Sequence, residues 1–196
     1  MMKRLFDIAF SSFLILLLLP LFICIIIMIL LDSRGGAFFG QTRVGIHEKH
    51  FKLWKFRSMR PNAESAGQLT VGARDSRITK VGYVLRKYKM DELPQLWNVL
   101  VGEMSLVGPR PEVPRYVSLY NKEQKHVFTI KPGITDYASL LYFSESELLA
   151  KSTDPEKVYI EEIMPAKLKL NLEYVRDHNF GKDLSIIFKT IARIFS

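Results

Sequence analysis

Residues 8–31 form an unbroken run of apolar and small side chains without one charge, and beyond Gly35-Gly36 the chain takes on the mixed pattern of a water-exposed protein. About 20 apolar residues suffice for a helix to cross the hydrocarbon core, so the run predicts a membrane element. A cleaved signal peptide has an apolar core of only about 7–15 residues and a small-residue cleavage site, which argues against one here. Pro20 lies near the middle of the run. It removes a helical hydrogen bond and clashes with the preceding turn, so a break is expected. Two forms follow: a kinked spanning helix, or a re-entrant hairpin whose ends emerge on one face. Lys3 and Arg4 precede the run, and Arg34, Arg43, Lys49 and Lys52 follow it. Both flanks thus look cytoplasmic, which a single span does not satisfy. From the residues alone both forms stay open.

The rest of the chain alternates first and then turns helical. Residues 51–56 (FKLWKF) alternate apolar and basic positions, predicting a short half-buried strand. Residues 60–75 are polar, with Pro61, Gly67 and Gly72, and predict a loop. Residues 78–89 predict an amphipathic helix with Ile78, Val81, Val84 and Leu85 on one side and Arg86, Lys87 and Lys89 at its end. Residues 93–100 predict a second helix with Pro94 in its first turn, which puts Asp91 and Glu92 at or just before its N-terminus. Segments 102–111 and 132–135 read as turns, and residues 144–177 carry helical patterning. In residues 183–195, Leu184, Ile187, Phe188, Ile191 and Ile194 share a face that either packs on the core or lies on lipid.

Charge and cysteine narrow the class. The net charge of +8 over 196 residues draws anionic partners: nucleic acid, lipid headgroups or phosphorylated substrates. No nucleic-acid motif accompanies it, and the adjacent apolar run makes the membrane surface the better partner. The one cysteine, Cys24, sits inside the apolar run and is read as a small hydrophobe, which excludes a disulfide framework within one chain. His47, His50, His126 and His178 show no metal-ligand spacing, and Trp54 and Trp97 are expected as core or interface anchors.

Three groups carry the candidate chemistry: Lys89-Met90-Asp91-Glu92-Leu93-Pro94-Gln95-Leu96, Gly108-Pro109-Arg110-Pro111 and Pro132-Gly133-Ile134-Thr135. Each alone reads as ordinary structure, a helix cap or a rigid turn. In this order, behind a proline-broken apolar run, they resemble the bacterial sugar transferases, the monotopic phosphoglycosyl transferase family. The resemblance begins at Lys3-Arg4-Leu5-Phe6-Asp7 and also takes in Lys55-Phe56-Arg57-Ser58-Met59, Asn98-Val99-Leu100 and Gly102-Glu103-Met104-Ser105.

The resemblance implies an α+β, mainly helical fold. A re-entrant membrane hairpin (1–34) would precede a cytoplasmic, membrane-associated catalytic domain (35–196) with amphipathic interfacial helices, in the minimal catalytic form. It implies transfer of a sugar 1-phosphate from a UDP-sugar to polyprenol (undecaprenyl) phosphate at the bacterial inner membrane, with Mg²⁺ and release of UMP. Asp91 would be the covalent nucleophile and Glu92 the adjacent acid, assisting metal or proton handling. Both would serve as metal ligands, with Lys55, Arg86 and Arg110 at the substrate phosphates and Pro20 at the membrane break. The partners implied are the two substrates, membrane lipid, downstream glycosyltransferases and optionally a second copy of the chain, with no nucleic acid. Such chemistry is physically coherent, because a carboxylate nucleophile approaching a diphosphate needs a hard cation and basic side chains to offset repulsion.

Two departures bear on these expectations. Leu19 stands before Pro20 where the family often has Ser, so Ser11, Ser12 or water is expected to satisfy the broken backbone. After Thr135 the family often continues Gly-Trp-Ala-Gln and soon an Arg. Here the chain reads Asp136-Tyr137-Ala138-Ser139-Leu140-Leu141-Tyr142-Phe143 without one, so no sugar identity transfers. A membrane-anchored binding module, in which Asp91-Glu92 only caps a helix, predicts no metal dependence and binding that weakens steeply with salt. An inactive scaffold of the same fold is a further alternative, opposed by the intact acidic pair.

Overall fold

The computed structural model describes residues 2–63, 67, 69–72 and 75–195, the side chain of Phe195 excepted. The expected loop over residues 60–75 therefore lies partly outside the described residues. Helices α1 (Met2–Leu17) and α2 (Leu19–Asp32) carry the apolar run and are bent by 61° at Leu18. Pro20 occupies the first turn of α2, where its missing N–H leaves no bond unmade. At 1.5 Å per residue the two helices are about 24 Å and about 21 Å long, each short of a hydrocarbon core of roughly 30 Å. No single described helix is long and apolar enough to cross a membrane, although the bent pair together passes that test.

Of the groups expected to satisfy the break, Ser11 does not. Ser11 Oγ is buried and makes no hydrogen bond among the described residues. Backbone bonds cross the junction instead: Leu18 N–H donates to Leu14 O, and Phe22 N–H donates to Leu18 O, both at 2.9 Å.

Both ends of the bent pair are tied to the same globular body. At the start, Lys3 Nζ donates to Val107 O (3.0 Å) and Asp183 Oδ2 (2.5 Å), and Arg4 donates to Val99 O (2.5 Å) and Leu100 O (2.9 Å). Buried Asp7 accepts from the Ser105 hydroxyl (2.8 Å) and Leu106 N–H (3.2 Å). At the far end, Asp32 accepts from Val81 N–H (2.9 Å), and Arg57 donates to Arg34 O (2.7 Å) and Ser33 O (2.8 Å). Lys3 and Arg4, the basic residues that precede the apolar run, thus also anchor its start to the body.

Strands β1 (Phe38–Val44) and β2 (His50–Phe56) form an antiparallel hairpin in which Phe38 faces Phe56 and Val44 faces His50. Helix α3 (Lys80–Lys87) is capped by Thr79, whose hydroxyl accepts from Gly82 N–H at 3.0 Å. Helix α4 (Gln95–Val101) follows the acidic pair, and Gly102 ends it at φ 95°, a conformation glycine adopts without strain. The two segments read as turns each contain a short strand. β3 (Ser105–Val107) and β4 (Gly133–Thr135) pair in parallel, Ser105 with Gly133 and Val107 with Thr135. A Cβ on Gly133 would stand 2.1 Å from Gly108 N, so only paired glycines let these motif segments meet backbone to backbone.

Helices α5 (Pro114–Val117), α6 (Tyr137–Leu141), α7 (Glu145–Ala150) and α8 (Pro155–Val158) are short. A π-helical turn, Tyr159–Ile163, joins α8 to α9 (Met164–Asp177), and α10 (Phe180–Phe195) closes the chain. The architecture is α+β and dominated by helix. Three apolar clusters organise it. One joins α2 to Phe56 and Leu85, one joins α1 to α4, β3 and α10, and one lies under α9. Along α10 the buried residues are Asp183 and Ile186, while Phe188 and Ile191 remain exposed. That helix therefore packs by one edge and leaves much of its apolar face open.

Candidate active site

A tight backbone turn presents the acidic pair. After α3 the chain reverses at Lys89, a non-glycine residue at φ 55°, and enters a single 3₁₀ turn, Met90–Glu92. The left-handed conformation costs on the order of 1 kcal/mol in a residue with a Cβ. Glu92 N–H donates to Lys89 O and Leu93 N–H to Met90 O, both at 3.2 Å, and α4 begins directly afterwards. The acidic pair therefore stands just before a helix, as the sequence predicts.

The two carboxylates have opposite surroundings. Glu92 Oε1 accepts from Lys55 Nζ at 3.0 Å and from Arg110 Nη2, while Oε2 accepts from Arg110 Nη1 at 3.2 Å. Burial alone would raise its pKa, but Arg110 and Lys55 outweigh burial and hold it well below the usual carboxylate range. Asp91 is 5% exposed and its carboxylate accepts no hydrogen bond among the described residues. Burial pushes Asp91 above the usual range, and the Glu92 anion adds to that, against the pull of Lys55, Arg86 and Lys89. A carboxylate this deeply buried among cations, with no protein hydrogen bond on its oxygens, is a marker of functional sites.

Arg110 is aimed by the second and third motifs together. Gly108 N–H donates to Thr135 O (3.1 Å) and Gly133 N–H to Pro109 O (3.0 Å). Arg110 N–H donates to the buried Asp136 Oδ2 at 2.9 Å, and Asp136 Oδ1 caps α6 through Ser139 N–H at 2.5 Å. Asp136, the first residue of the departure from the family pattern, thus holds the arginine segment in place.

A neighbouring network was not foreseen from the sequence. Arg43 donates to Gln41 Oε1 (2.7 Å), Pro111 O (2.9 Å) and Glu112 Oε1 (3.1 Å), and Tyr159 donates to Glu112 Oε2. Val44 N–H donates to Glu112 O at 2.9 Å, stitching β1 to the segment after Arg110. Tyr159 lies on the π-helical turn, a distortion often found beside functional sites. The position of Glu112 immediately after Pro111 was the available signal. Of the predicted site residues, the structure gathers Asp91, Glu92, Lys55 and Arg110. Arg86 is close enough for its charge to act on Asp91, but its guanidinium makes no hydrogen bond among the described residues. Pro20 belongs to the bend of the apolar helices and not to this cluster.

The structure thus joins a bent apolar helix pair, tied at both ends, to a small α+β body that carries a cation-ringed carboxylate pair. The chain belongs to the bacterial sugar transferase family, whose model matches residues 1–196. It is 38% identical over 202 residues to an undecaprenyl-phosphate glucose phosphotransferase of Komagataeibacter xylinus, covering 99% of this chain and 36% of that protein. It is 35% identical over 199 residues to a UDP-N-acetylgalactosamine-undecaprenyl-phosphate N-acetylgalactosaminephosphotransferase of Aeromonas hydrophila, covering 99% and 44%. The exopolysaccharide production protein ExoY of Rhizobium meliloti is 33% identical over 209 residues, with 99% and 85% covered. The chain spans less than half the length of the first two of these relatives.

Proposed function

We propose that the chain transfers a sugar 1-phosphate from a UDP-sugar to a polyprenol phosphate, such as undecaprenyl phosphate, and releases UMP. The observation that carries this is the Asp91 carboxylate, buried without a hydrogen bond among cations, beside a bent apolar helix pair. In the first step an Asp91 oxygen attacks the sugar-bearing phosphorus. The bond from that phosphorus to the bridging oxygen breaks, and UMP leaves with the electron pair. In the second step the polyprenol phosphate oxygen attacks the same phosphorus, the bond to Asp91 breaks, and the carboxylate is restored. Splitting the transfer this way lets a soluble donor and a lipid acceptor use one nucleophile in turn.

Lys55 and Arg110 keep Glu92 anionic, which favours a charge-balancing role for it over proton donation. Among the described residues no three His, Cys, Asp or Glu side chains gather as a metal site. Mg²⁺ commonly binds one or two carboxylates plus substrate phosphates, and the open Asp91 oxygens with adjacent Glu92 fit that half-site. Bound there, Mg²⁺ would supply neutralisation of the phosphate charge.

The reading extends to a re-entrant hairpin over residues 1–34 and a catalytic domain over residues 35–196 on the cytoplasmic face of the bacterial inner membrane. Its support is the docking of both hairpin ends on one body and the exposed Leu16, Leu17, Leu19, Ile23, Ile27 and Leu31. Apolar surface of that extent calls for a cover, and lipid supplies one. An apolar cavity of about 410 Å³ between Ile15, Phe22, Trp54, Leu93, Pro94 and Trp97 suits the isoprenoid part of the acceptor. Its wall includes the two residues that follow Glu92. The relatives named above carry different sugars at nearly equal identity, so the sugar is left to experiment. Product would pass to downstream glycosyltransferases.

The test is UMP release by the chain in nanodiscs, with a panel of UDP-sugars, polyprenol phosphate and Mg²⁺. Release that needs both metal and lipid and disappears in Asp91→Ala is expected. Equal release by Asp91→Ala would overturn the mechanism.

A further inference from the structure

We propose that Lys89 is a fourth cation of the phosphate site, binding a non-bridging phosphate oxygen of the diphosphate donor beside Asp91. The proposal rests on the transferase reading above. Two of the three cations assigned to the substrate from the sequence, Lys55 and Arg110, are engaged by Glu92. A diphosphate entering the site needs further positive charge that is not already held by a carboxylate.

Lys89 meets that need by its position. Its backbone sits at φ 55°, two residues before Asp91, where glycine would avoid the strain. The lysine is therefore not what the turn itself requires. Its ammonium lies 4.9 Å from the centroid of the Phe143 ring and makes no hydrogen bond among the described residues, while its charge reaches both Asp91 and Glu92. The Arg193 guanidinium, from α10, lies 5.4 Å from the same centroid. The ring also stiffens the lysine stem, so less rotamer freedom is lost when a phosphate binds.

The experiment separates binding from folding, because glycine at this position relieves strain while removing the charge. UDP is titrated with Mg²⁺ into nanodisc-embedded Asp91→Asn chain, with and without Lys89→Gly or Lys89→Arg, and thermal stability is recorded for each. Lys89→Gly should weaken UDP binding about tenfold, as expected for one charge-assisted hydrogen bond, while its Tm stays level or rises. Lys89→Arg should restore most of the affinity. Unchanged UDP affinity in Lys89→Gly overturns the proposal. So does an affinity loss that comes with a lower Tm and is not restored by arginine. A rise in KM for polyprenol phosphate in the Asp91-containing chain, with UDP affinity intact, also overturns it by moving Lys89 to the acceptor. If the Asp91→Asn chain with Lys89 in place binds no UDP and the Asp91-containing chain releases no UMP, the transferase reading falls and takes this one with it.

Discussion

Two regions of this molecule bury clusters of charge, and they are finished differently. Where α1 meets the body, Asp183 receives Lys3 Nζ and the Tyr174 hydroxyl, both at 2.5 Å, and Asp7 receives a hydroxyl and a backbone N–H. Both carboxylates there are hydrogen-bonded. Around the acidic pair, Glu92 is equally well held, but Asp91 beside it is buried and its carboxylate accepts no hydrogen bond among the described residues. The residue types are the same, and the difference lies in what is left open. A satisfied buried carboxylate fixes one element to another, whereas an unsatisfied one keeps electron pairs for a metal ion or a phosphorus atom.

Opposite substitutions should expose that contrast. In the open cluster, Asp91→Ala should cut UMP release at least about a thousandfold, as loss of a covalent nucleophile does, without lowering Tm. A fall in Tm with activity retained would put Asp91 among the structural carboxylates. In the closed cluster, Asp183→Ala strands the Tyr174 hydroxyl and the Lys3 ammonium. It should cost about 2–3 kcal/mol by denaturation in detergent, somewhat less than a fully buried pair because Lys3 is a third exposed. Donor affinity per folded molecule should hold.

The same contrast marks what could be read from the sequence. The strand over residues 51–56, the helices after residues 78 and 93, and the acidic pair before the second helix all appear near their expected places, because periodicity and Pro94 are local signals. The pairing of β3 with β4 was hidden. Three residues are too few to show alternation, and the contact depends on Gly108 and Gly133 meeting across the fold. The second role of Lys3 and Arg4 was hidden for a related reason: charge beside an apolar run reads as a membrane signal, and nothing local reveals that Val107, Val99 and Leu100 offer carbonyls. Glu112 escaped notice because its partners, Arg43 and Tyr159, are far off in sequence. On α10 the apolar spacing was correct, yet it did not say which edge would be covered.

The carboxylate pair can also be separated by pH. Asp91 must be anionic to attack, and burial holds its pKa above the usual range, so activity should fall on the acid side at a higher pH than an ordinary aspartate would give. Glu92, with its pKa depressed, remains ionised through that fall. Its contribution to stability is present above its unfolded pKa and is lost only as pH drops through the lower folded value. Glu92→Gln removes the anion that pushes Asp91 upward and leaves Lys55 to pull it down. The acid limb of a pH–rate profile should then move to lower pH, at reduced maximal rate. A limb that stays in place would show that Glu92 does not set the charge of Asp91.

The smallest effect expected lies at the bend, where the structure sets a buried polar atom against no partner. Ser11 is fully buried on α1, and its hydroxyl bonds to nothing among the described residues, because the backbone closes the junction by itself through Leu18 and Phe22. Burying a hydroxyl without a hydrogen bond is unfavourable, and alanine is the better helix former. Ser11→Ala should therefore leave UMP release unchanged and stabilise the chain by about 1 kcal/mol, read as a Tm rise of a few degrees. A loss of stability would mean that the hydroxyl does satisfy the backbone freed by Pro20, as the sequence first suggested. That result would place Ser11 with Asp7 and Asp183, among the groups whose bonds hold the hairpin to its domain.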